Sequence, residues 1–133
     1  GVFRRQRQMC IRDSNKTDPT FPYYLQWLHY AEGSIMPQVN TIVVETILLP
    51  PERKNEVNVA RAFKLLNVAL LNVNNNLESK DFLTGTFSGA DIMTGHACIG
   101  AKRVGADISD LTNVEKYIDR LLSRPALQKA IKI

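Results

Sequence analysis

The most constraining feature of the sequence is an apolar seam near its middle. The members of this seam alternate in spacing between four and three residues: Val59, Phe63, Leu66, Leu70, Val73 and Leu77. Such spacing keeps side chains on one side of an α-helix, so it predicts a helix about five turns long that opens at Pro51 or Glu52. The neighbouring amides are expected on the solvent side: Asn72, Asn74, Asn75 and Asn76. A helix with one apolar side needs neighbouring helices to cover it.

The segments on either side of the seam also carry helical spacing. Before it, one apolar face steps by four, three and four residues through Tyr24, Leu28, Ala31 and Ile35. Pro37 is expected to interrupt that helix, because proline lacks the amide hydrogen. The apolar face is predicted to resume beyond it at Val39, Ile42, Val43 and Ile47. The segment is expected to end at Leu49, because two prolines follow it.

The C-terminal part predicts short helices. Gly105 is a natural helix stop. Val114, Tyr117, Ile118, Leu121 and Leu122 form the apolar face of the next helix. Pro125 ends that helix and can open a last one that runs to about Lys132. No pair of strands and no hairpin signal is present in the pattern, so the predicted fold class is all-α, a helical bundle of about five helices.

The start of one central helix has unusually complete chemistry. Ser88 is predicted as the N-cap, with Asp91 at the third helical position to answer the N-cap amide, which makes a capping box with Asp in place of Glu. Phe87 and Ile92 stand at the positions of a hydrophobic staple. Gly85 is the expected turn residue of the preceding connection, in which Phe82 and Leu83 are predicted to plug the core. We interpret Ser88 and Asp91 as structural capping residues rather than an acid–base pair.

Charge and composition exclude some function classes. The net charge is +4, but residues 1–14 hold four arginines against one aspartate, so the rest of the chain carries only about +1. A surface that follows phosphates needs clustered cations, so no nucleic acid is expected as a partner. No run of about 18 apolar residues predicts a membrane span, and no membrane partner is expected. Residues 1–17 are interpreted as a non-native or disordered leader, and 18–133 as the folded domain.

The cysteines Cys10 and Cys98 form no metal spacing and no CxxC motif. No metal site is therefore predicted, and so few cysteines fit a reducing compartment, which favours a cytoplasmic location. Cys98 lies within an apolar helical pattern and is interpreted as a small buried hydrophobe rather than a nucleophile.

Three strings of the chain resemble segments of glutathione transferases. FLTGTFSGADIM at Phe82–Met93 is similar to the loop and core-helix start of their C-terminal domain. YLQWLHYAEGSIMP at Tyr24–Pro37 resembles the first helix of that domain in bacterial and fungal members of the cytosolic superfamily, and YIDRLLSRPALQKA at Tyr117–Ala130 resembles its end. The order and spacing agree in all three, and the resemblance covers Pro19–Ile133. It implies the C-terminal helical domain, with the N-terminal thioredoxin-like domain absent from this chain.

The resemblance implies a function divided between two domains. Glutathione would be the co-substrate, bound mainly by the missing domain, which would also supply the catalytic Tyr, Ser or Cys, so no catalytic residue is assigned here. This chain would form the hydrophobic wall for the electrophile that glutathione attacks in a detoxifying conjugation. The wall residues implied are Tyr30, Ser34, Ile35, Met36 and Pro37. The parent would be a homodimer, and this chain alone would be inactive.

Several alternatives stay open. Ile35 and Met36 could be core or dimer contacts instead. His29 is favoured as a surface or interface residue over a ligand contact. His96 is favoured as a satisfied structural histidine, near the apolar stripe with Ile99, over a substrate contact. Arg103 is expected to complement the helix dipole, with a position near glutathione as the lesser alternative. The alternative function is a non-enzymatic, transferase-like helical module for protein interaction.

Overall fold

The computed structural model describes residues 16–132, and every regular element in that range is helical. The α-helices are α1 (Phe21–Tyr30), α2 (Met36–Val43), α3 (Glu56–Asn76), α4 (Gly89–Arg103), α5 (Thr112–Leu122) and α6 (Pro125–Ile131). Two π-helical turns (Ala31–Ile35 and Val44–Leu48) and a 3₁₀ turn (Pro51–Arg53) complete the list. The predicted all-α fold class is confirmed. Cys10 and the leader up to residue 15 lie outside the described residues.

The first helical rod is continuous but irregular. The π-helical turn Ala31–Ile35 joins α1 to α2, and Pro37 follows it within the first turn of α2. Proline cannot donate to the helical ladder, and a π-helical turn is one way to accommodate the disrupted ladder. The predicted interruption at Pro37 is confirmed in this form. The buried side of the rod is built from Tyr24, Trp27, Ala31, Ile35, Val39 and Ile42.

The predicted apolar face of this rod is wrong at one residue. Ile47 was expected to continue the face, but it is 70% exposed, and Glu45 is buried in its neighbourhood instead. The reason is the second π-helical turn, Val44–Leu48, which contains both residues. A π-helical turn places more residues in each turn than an α-helix, so the face rotates away from the spacing that an ideal helix would keep.

Helix α3 begins later than the sequence pattern predicted. The residues Pro51–Arg53 form a separate 3₁₀ turn, and α3 itself starts at Glu56. Asn55 is the N-cap, and its side-chain oxygen accepts hydrogen bonds from the amides of Val57 (3.0 Å) and Asn58 (3.2 Å). Asparagine is among the preferred N-cap residues, so the cap outweighs the proline signal here. The seam itself is confirmed, with four of its members buried: Leu66, Leu70, Val73 and Leu77.

The asparagines at the end of α3 are not merely solvated. Asn72 donates a hydrogen bond to the Tyr30 hydroxyl (3.1 Å), and Asn76 donates to the Leu83 carbonyl (2.9 Å). Asn74 accepts hydrogen bonds from the amides of Asn113 (3.0 Å) and Val114 (3.2 Å) at the start of α5. The expected position on the solvent side is confirmed for Asn72, which is exposed, and was wrong for Asn74 and Asn76, which are half-buried against neighbouring segments.

Helix α4 lies at the centre of the bundle, packed against α1 and α5. The Thr94 hydroxyl donates to the main-chain carbonyl of Trp27 at 2.5 Å, next to the first π-helical turn. At Gly95 the helices approach so closely that an added Cβ would clash with Cδ1 of Leu121. A side chain at this position would therefore require the buried Leu121 side chain to move.

The turn residues lie where they were expected. Gly85 (φ 96°) and Gly105 (φ 95°) both adopt the left-handed backbone that glycine tolerates best. Pro125 opens α6, as predicted. Leu83 is buried and Phe82 packs against the core, so the predicted plug is confirmed. None of the helices within residues 16–132 combines the length and the apolar character needed to cross a lipid bilayer.

Candidate functional site

The predicted capping box is present at the start of α4. Ser88 is the N-cap, and the Asp91 carboxylate accepts a hydrogen bond from its backbone amide at 2.9 Å. The Ser88 hydroxyl also lies 3.3 Å from the same carboxylate oxygen. These bonds satisfy groups that a helix start would otherwise leave without partners.

The other carboxylate oxygen of Asp91 connects α4 to two more elements. It accepts hydrogen bonds from the Leu83 amide (3.0 Å) and from the Tyr117 hydroxyl (2.9 Å). Burial raises the pKa of the Tyr117 phenol, and the adjacent Asp91 charge raises this pKa further, so the phenol keeps its proton and remains a donor. With both oxygens occupied by donors, Asp91 is arranged for structure, as the sequence indicated.

The hydrophobic staple is more open than its pattern suggested. Phe87 and Ile92 line one cavity, but Ile92 remains 45% exposed. The Phe87 ring is instead held by Phe82, edge to face at 5.4 Å between centroids, and by Arg124, whose guanidinium carbon lies 3.5 Å above the ring. The staple therefore does not seal this end of the helix, and a cavity opens beside it.

This cavity lies between α4, α5 and α6 and has a volume of about 260 Å³. Its walls are mostly apolar, and the residues that line it are Phe87, Asp91, Ile92, His96, Ile99, Leu121, Arg124, Ala126, Leu127 and Ala130. This cavity was not predicted from the sequence. No local pattern in the sequence signals it, because its walls come from residues of three helices that meet only in the packed bundle.

The two histidines lie in different environments. His96 is exposed and lines the cavity, so its interpretation as a satisfied structural histidine was wrong. It does share a side of α4 with Ile92 and Ile99, as the spacing indicated. All three line the cavity, and of the three Ile99 is also buried in the core. His29 is exposed on α1.

The five wall residues implied by the resemblance do not share one environment. Tyr30 is half-buried, and its hydroxyl donates to the Ala69 carbonyl at 3.2 Å. Ile35 is fully buried in the core. Ser34 and Met36 are half-buried, and Pro37 is exposed. Of the five, Ile35 alone has no surface available to a ligand, and the Tyr30 hydroxyl is already bonded to α3.

The remaining candidate groups have structural environments. Cys98 is fully buried, and burial raises the pKa of its thiol to about 12, which confirms its interpretation as a small hydrophobe. Lys102 and Arg103 lie in the last turn of α4, where cations complement the helix dipole. Within residues 16–132 no group of three or more His, Cys, Asp or Glu side chains is placed to hold a metal ion.

Comparison with known proteins gives similarity at the level of structure. No protein-family model matches the sequence, and no curated protein sequence matches it. The bacterial glutathione transferase BphK, solved as a ternary complex, has a TM-score of 0.79 and 20% identity, and the match covers 98% of this chain and 62% of that one. The theta-class enzyme of Xanthomonas axonopodis pv. citri has a TM-score of 0.80 and 16% identity, and the match covers 96% of this chain and 68% of that one. A glutathione transferase of Phanerochaete chrysosporium, in complex with oxidized glutathione, has a TM-score of 0.79 and 21% identity, and the match covers 91% of this chain and 57% of that one.

These similarities define the class of fold. The chain has the fold of the C-terminal helical domain of glutathione transferases, and the predicted resemblance is confirmed at that level. It spans 62% of BphK, 59% of a glutathione transferase from Xylella fastidiosa and 68% of the Xanthomonas enzyme.

Proposed function

We propose that this chain is the helical domain of a glutathione-conjugating enzyme and forms one wall of the site for the electrophilic co-substrate. The observation that carries the proposal is its match to glutathione transferases over nearly its whole length, several of which hold glutathione or its disulfide. A cytoplasmic location and a role in detoxification belong to the same proposal. A reduced, buried Cys98 is consistent with that location.

The wall is best formed by Met36 with Ser34 and Pro37. They lie in and just after the π-helical turn Ala31–Ile35, and π-helical turns are frequent at functional sites. A half-buried methionine offers a polarizable surface that adapts to apolar ligands of different shape. Ile35 and Tyr30 would support this surface from below, because Ile35 fills the core and Tyr30 is tied to α3.

Thiol activation would come from outside the described residues. A glutathione thiolate needs a group that lowers the pKa of its thiol. The carboxylate of Asp91 is occupied by donors, and the Cys98 thiol is buried, so neither can serve. We therefore expect the chain alone to bind an apolar conjugate weakly and to catalyse no conjugation of glutathione to 1-chloro-2,4-dinitrobenzene.

Methionine-methyl NMR tests the wall directly. The chain has three methionines, and Met36 and Met93 lie in different helices. With S-hexylglutathione as the probe, the Met36 methyl signal should shift and the Met93 signal should stay in place. Met36→Gln should weaken binding about fivefold, the order expected when part of an apolar contact is lost.

The control variant for this experiment is Met93→Gln, the same change at a partly exposed methionine on α4. It should leave binding unchanged. Equal shifts at both methyls, equal losses in both variants, or turnover by the purified chain would each contradict the proposed division of labour.

A homodimer is proposed as the assembly of the parent protein. The side of α3 that faces away from the core exposes four apolar residues: Val57, Leu65, Val68 and Leu71. Exposed apolar surface of this kind marks interaction sites. The same face would serve the alternative function, an interaction module. Sedimentation velocity should show that the chain associates with itself and that Val68→Lys abolishes this association. The control variant Lys64→Ala, on the same helix, should still associate. A strictly monomeric chain would favour the interaction module.

A further inference from the structure

The cavity between α4, α5 and α6 has the walls of a small-ligand site. Phe87, Ile92, Ile99 and Leu127 supply much of its apolar lining. Its volume of about 260 Å³ falls just below the roughly 300 Å³ at which drug-sized pockets begin. A suitable ligand is therefore small, with one or two aromatic rings.

The charges around the cavity are arranged asymmetrically. The charged or titratable groups that line it are Asp91, His96 and Arg124. The oxygens of Asp91 are occupied by donors from Leu83, Ser88 and Tyr117. No carboxylate among residues 16–132 forms an ion pair with Arg124, whereas the nearby Arg120 pairs with Asp81 at 3.3 Å. The accessible electrostatic character of the cavity is therefore positive at its Arg124 end.

The orientation of Arg124 suits an anion. Its guanidinium carbon lies 3.5 Å above the Phe87 ring, so one face of the group is covered by the aromatic side chain. Stacking leaves the edge of the guanidinium, with its N–H donors, available. A carboxylate can accept two parallel hydrogen bonds from such an edge, and a stacked arginine is already held in place for this contact.

We propose that this cavity binds a small planar aromatic carboxylate. The ring lies against Ile92, Ile99 and Leu127, and the carboxylate lies against the edge of Arg124, away from the Asp91 end. Charge complementarity selects this occupant over a neutral ring, which would offer the arginine no ion pair. The proposal does not depend on the conjugation function.

Isothermal titration calorimetry with two matched probes tests the proposal. 1-Naphthoate and 1-naphthalenemethanol have the same ring system and differ in charge. The wild-type chain should bind naphthoate about tenfold more tightly than the alcohol, as expected for a charge-assisted contact. Arg124→Gln should remove this preference and leave alcohol binding unchanged, while Arg120→Gln, the matched control, should keep the preference.

A second variant locates the site. Ala130 is an exposed residue of the cavity wall on α6, so Ala130→Trp should fill the cavity without disturbing the core and abolish binding of both probes. Equal affinity for the two probes, an equal loss of both in Arg124→Gln, undiminished binding in Ala130→Trp, or no binding to the wild-type chain would each overturn the proposal.

Discussion

Helices α4 and α5 lie side by side, yet their starts are stabilised in different ways. The start of α4 is capped within its own sequence, where Ser88 and Asp91 stand three residues apart. The start of α5 has no side-chain cap from its own N-cap residue, Leu111. It depends on Asn74, which is 39 residues away on α3. A local cap can be identified in a sequence, whereas a cap from another helix exists only once the bundle has formed.

The largest expected effect comes from breaking the α4 start. Asp91→Asn replaces one acceptor oxygen by an amide that cannot accept the bonds from Ser88 or from Leu83 and Tyr117. Because the site is buried, the free energy of unfolding should fall by about 3 kcal/mol or more in urea titrations. Asp107→Asn is a matched control, since Asp107 accepts from the amide and hydroxyl of Ser109 but is exposed. It should cost less than about 0.5 kcal/mol, and equal losses would contradict this difference.

Removal of the distant cap of α5 should have the next largest effect. Asn74→Ala leaves the amides of Asn113 and Val114 without their acceptor and should cost about 1–2 kcal/mol. Asn75→Ala changes the helix propensity in the same way at an exposed neighbour and should not lower the free energy of unfolding. Hydrogen exchange should also speed up at the first amides of α5 in the Asn74 variant alone; unchanged exchange there would show that the cap does not hold this helix start.

A smaller effect is expected for the serine of the local cap. Ser88→Ala keeps the hydrogen bond from the backbone amide to Asp91 and loses only the hydroxyl. The melting temperature should therefore fall by the equivalent of about 1 kcal/mol. Ser34→Ala, at the half-buried serine of the proposed wall, should leave the melting temperature nearly unchanged. A larger loss at Ser34 would reverse the assigned roles of the two serines.

The start of α3 extends the comparison, because it uses a local and a distant group together. Asn55 caps it locally, and Glu45 accepts from the Asn55 amide (2.8 Å) and from the Asn58 side chain (2.9 Å). Both hydrogen bonds lower the pKa of Glu45 from its ordinary value of 4.5, and the bond from the Asn58 side chain has the larger effect. A carboxylate with a lowered pKa in the folded state stabilises the fold at pH values above its ordinary pKa. This stabilisation is lost as the pH falls below about 4.5 toward the folded-state pKa.

Acid titration of the unfolding free energy can detect the contribution of Glu45, the smallest of those considered. Wild type should exceed Glu45→Gln in stability at pH 7, and the difference should shrink as the pH falls below about 4.5. Glu52→Gln, at an exposed carboxylate in the 3₁₀ turn, serves as the control and should parallel wild type. A constant difference between wild type and Glu45→Gln across this range would contradict a role for the Glu45 charge.

The same distinction explains how far the sequence predicted the structure. The α3 seam, the α4 capping box and the glycine turns depend on residues close in sequence, and all were predicted. Ile47 was misplaced because a π-helical turn breaks the regular spacing, and Asn74 was assigned to solvent because its partners are distant in the chain. The cavity escaped prediction for the same reason, since Phe87, His96 and Arg124 come together only through the packing of α4, α5 and α6.

A double-mutant cycle between Asp91 and Tyr117 tests most directly whether Asp91 links the start of α4 to the neighbouring helix. The unfolding free energies of wild type, Asp91→Asn, Tyr117→Phe and the double variant would be measured in urea. Because the Tyr117 hydroxyl donates to Asp91 at 2.9 Å in a buried site, the two changes should be coupled by about 1–2 kcal/mol. Losses that simply add would contradict the account.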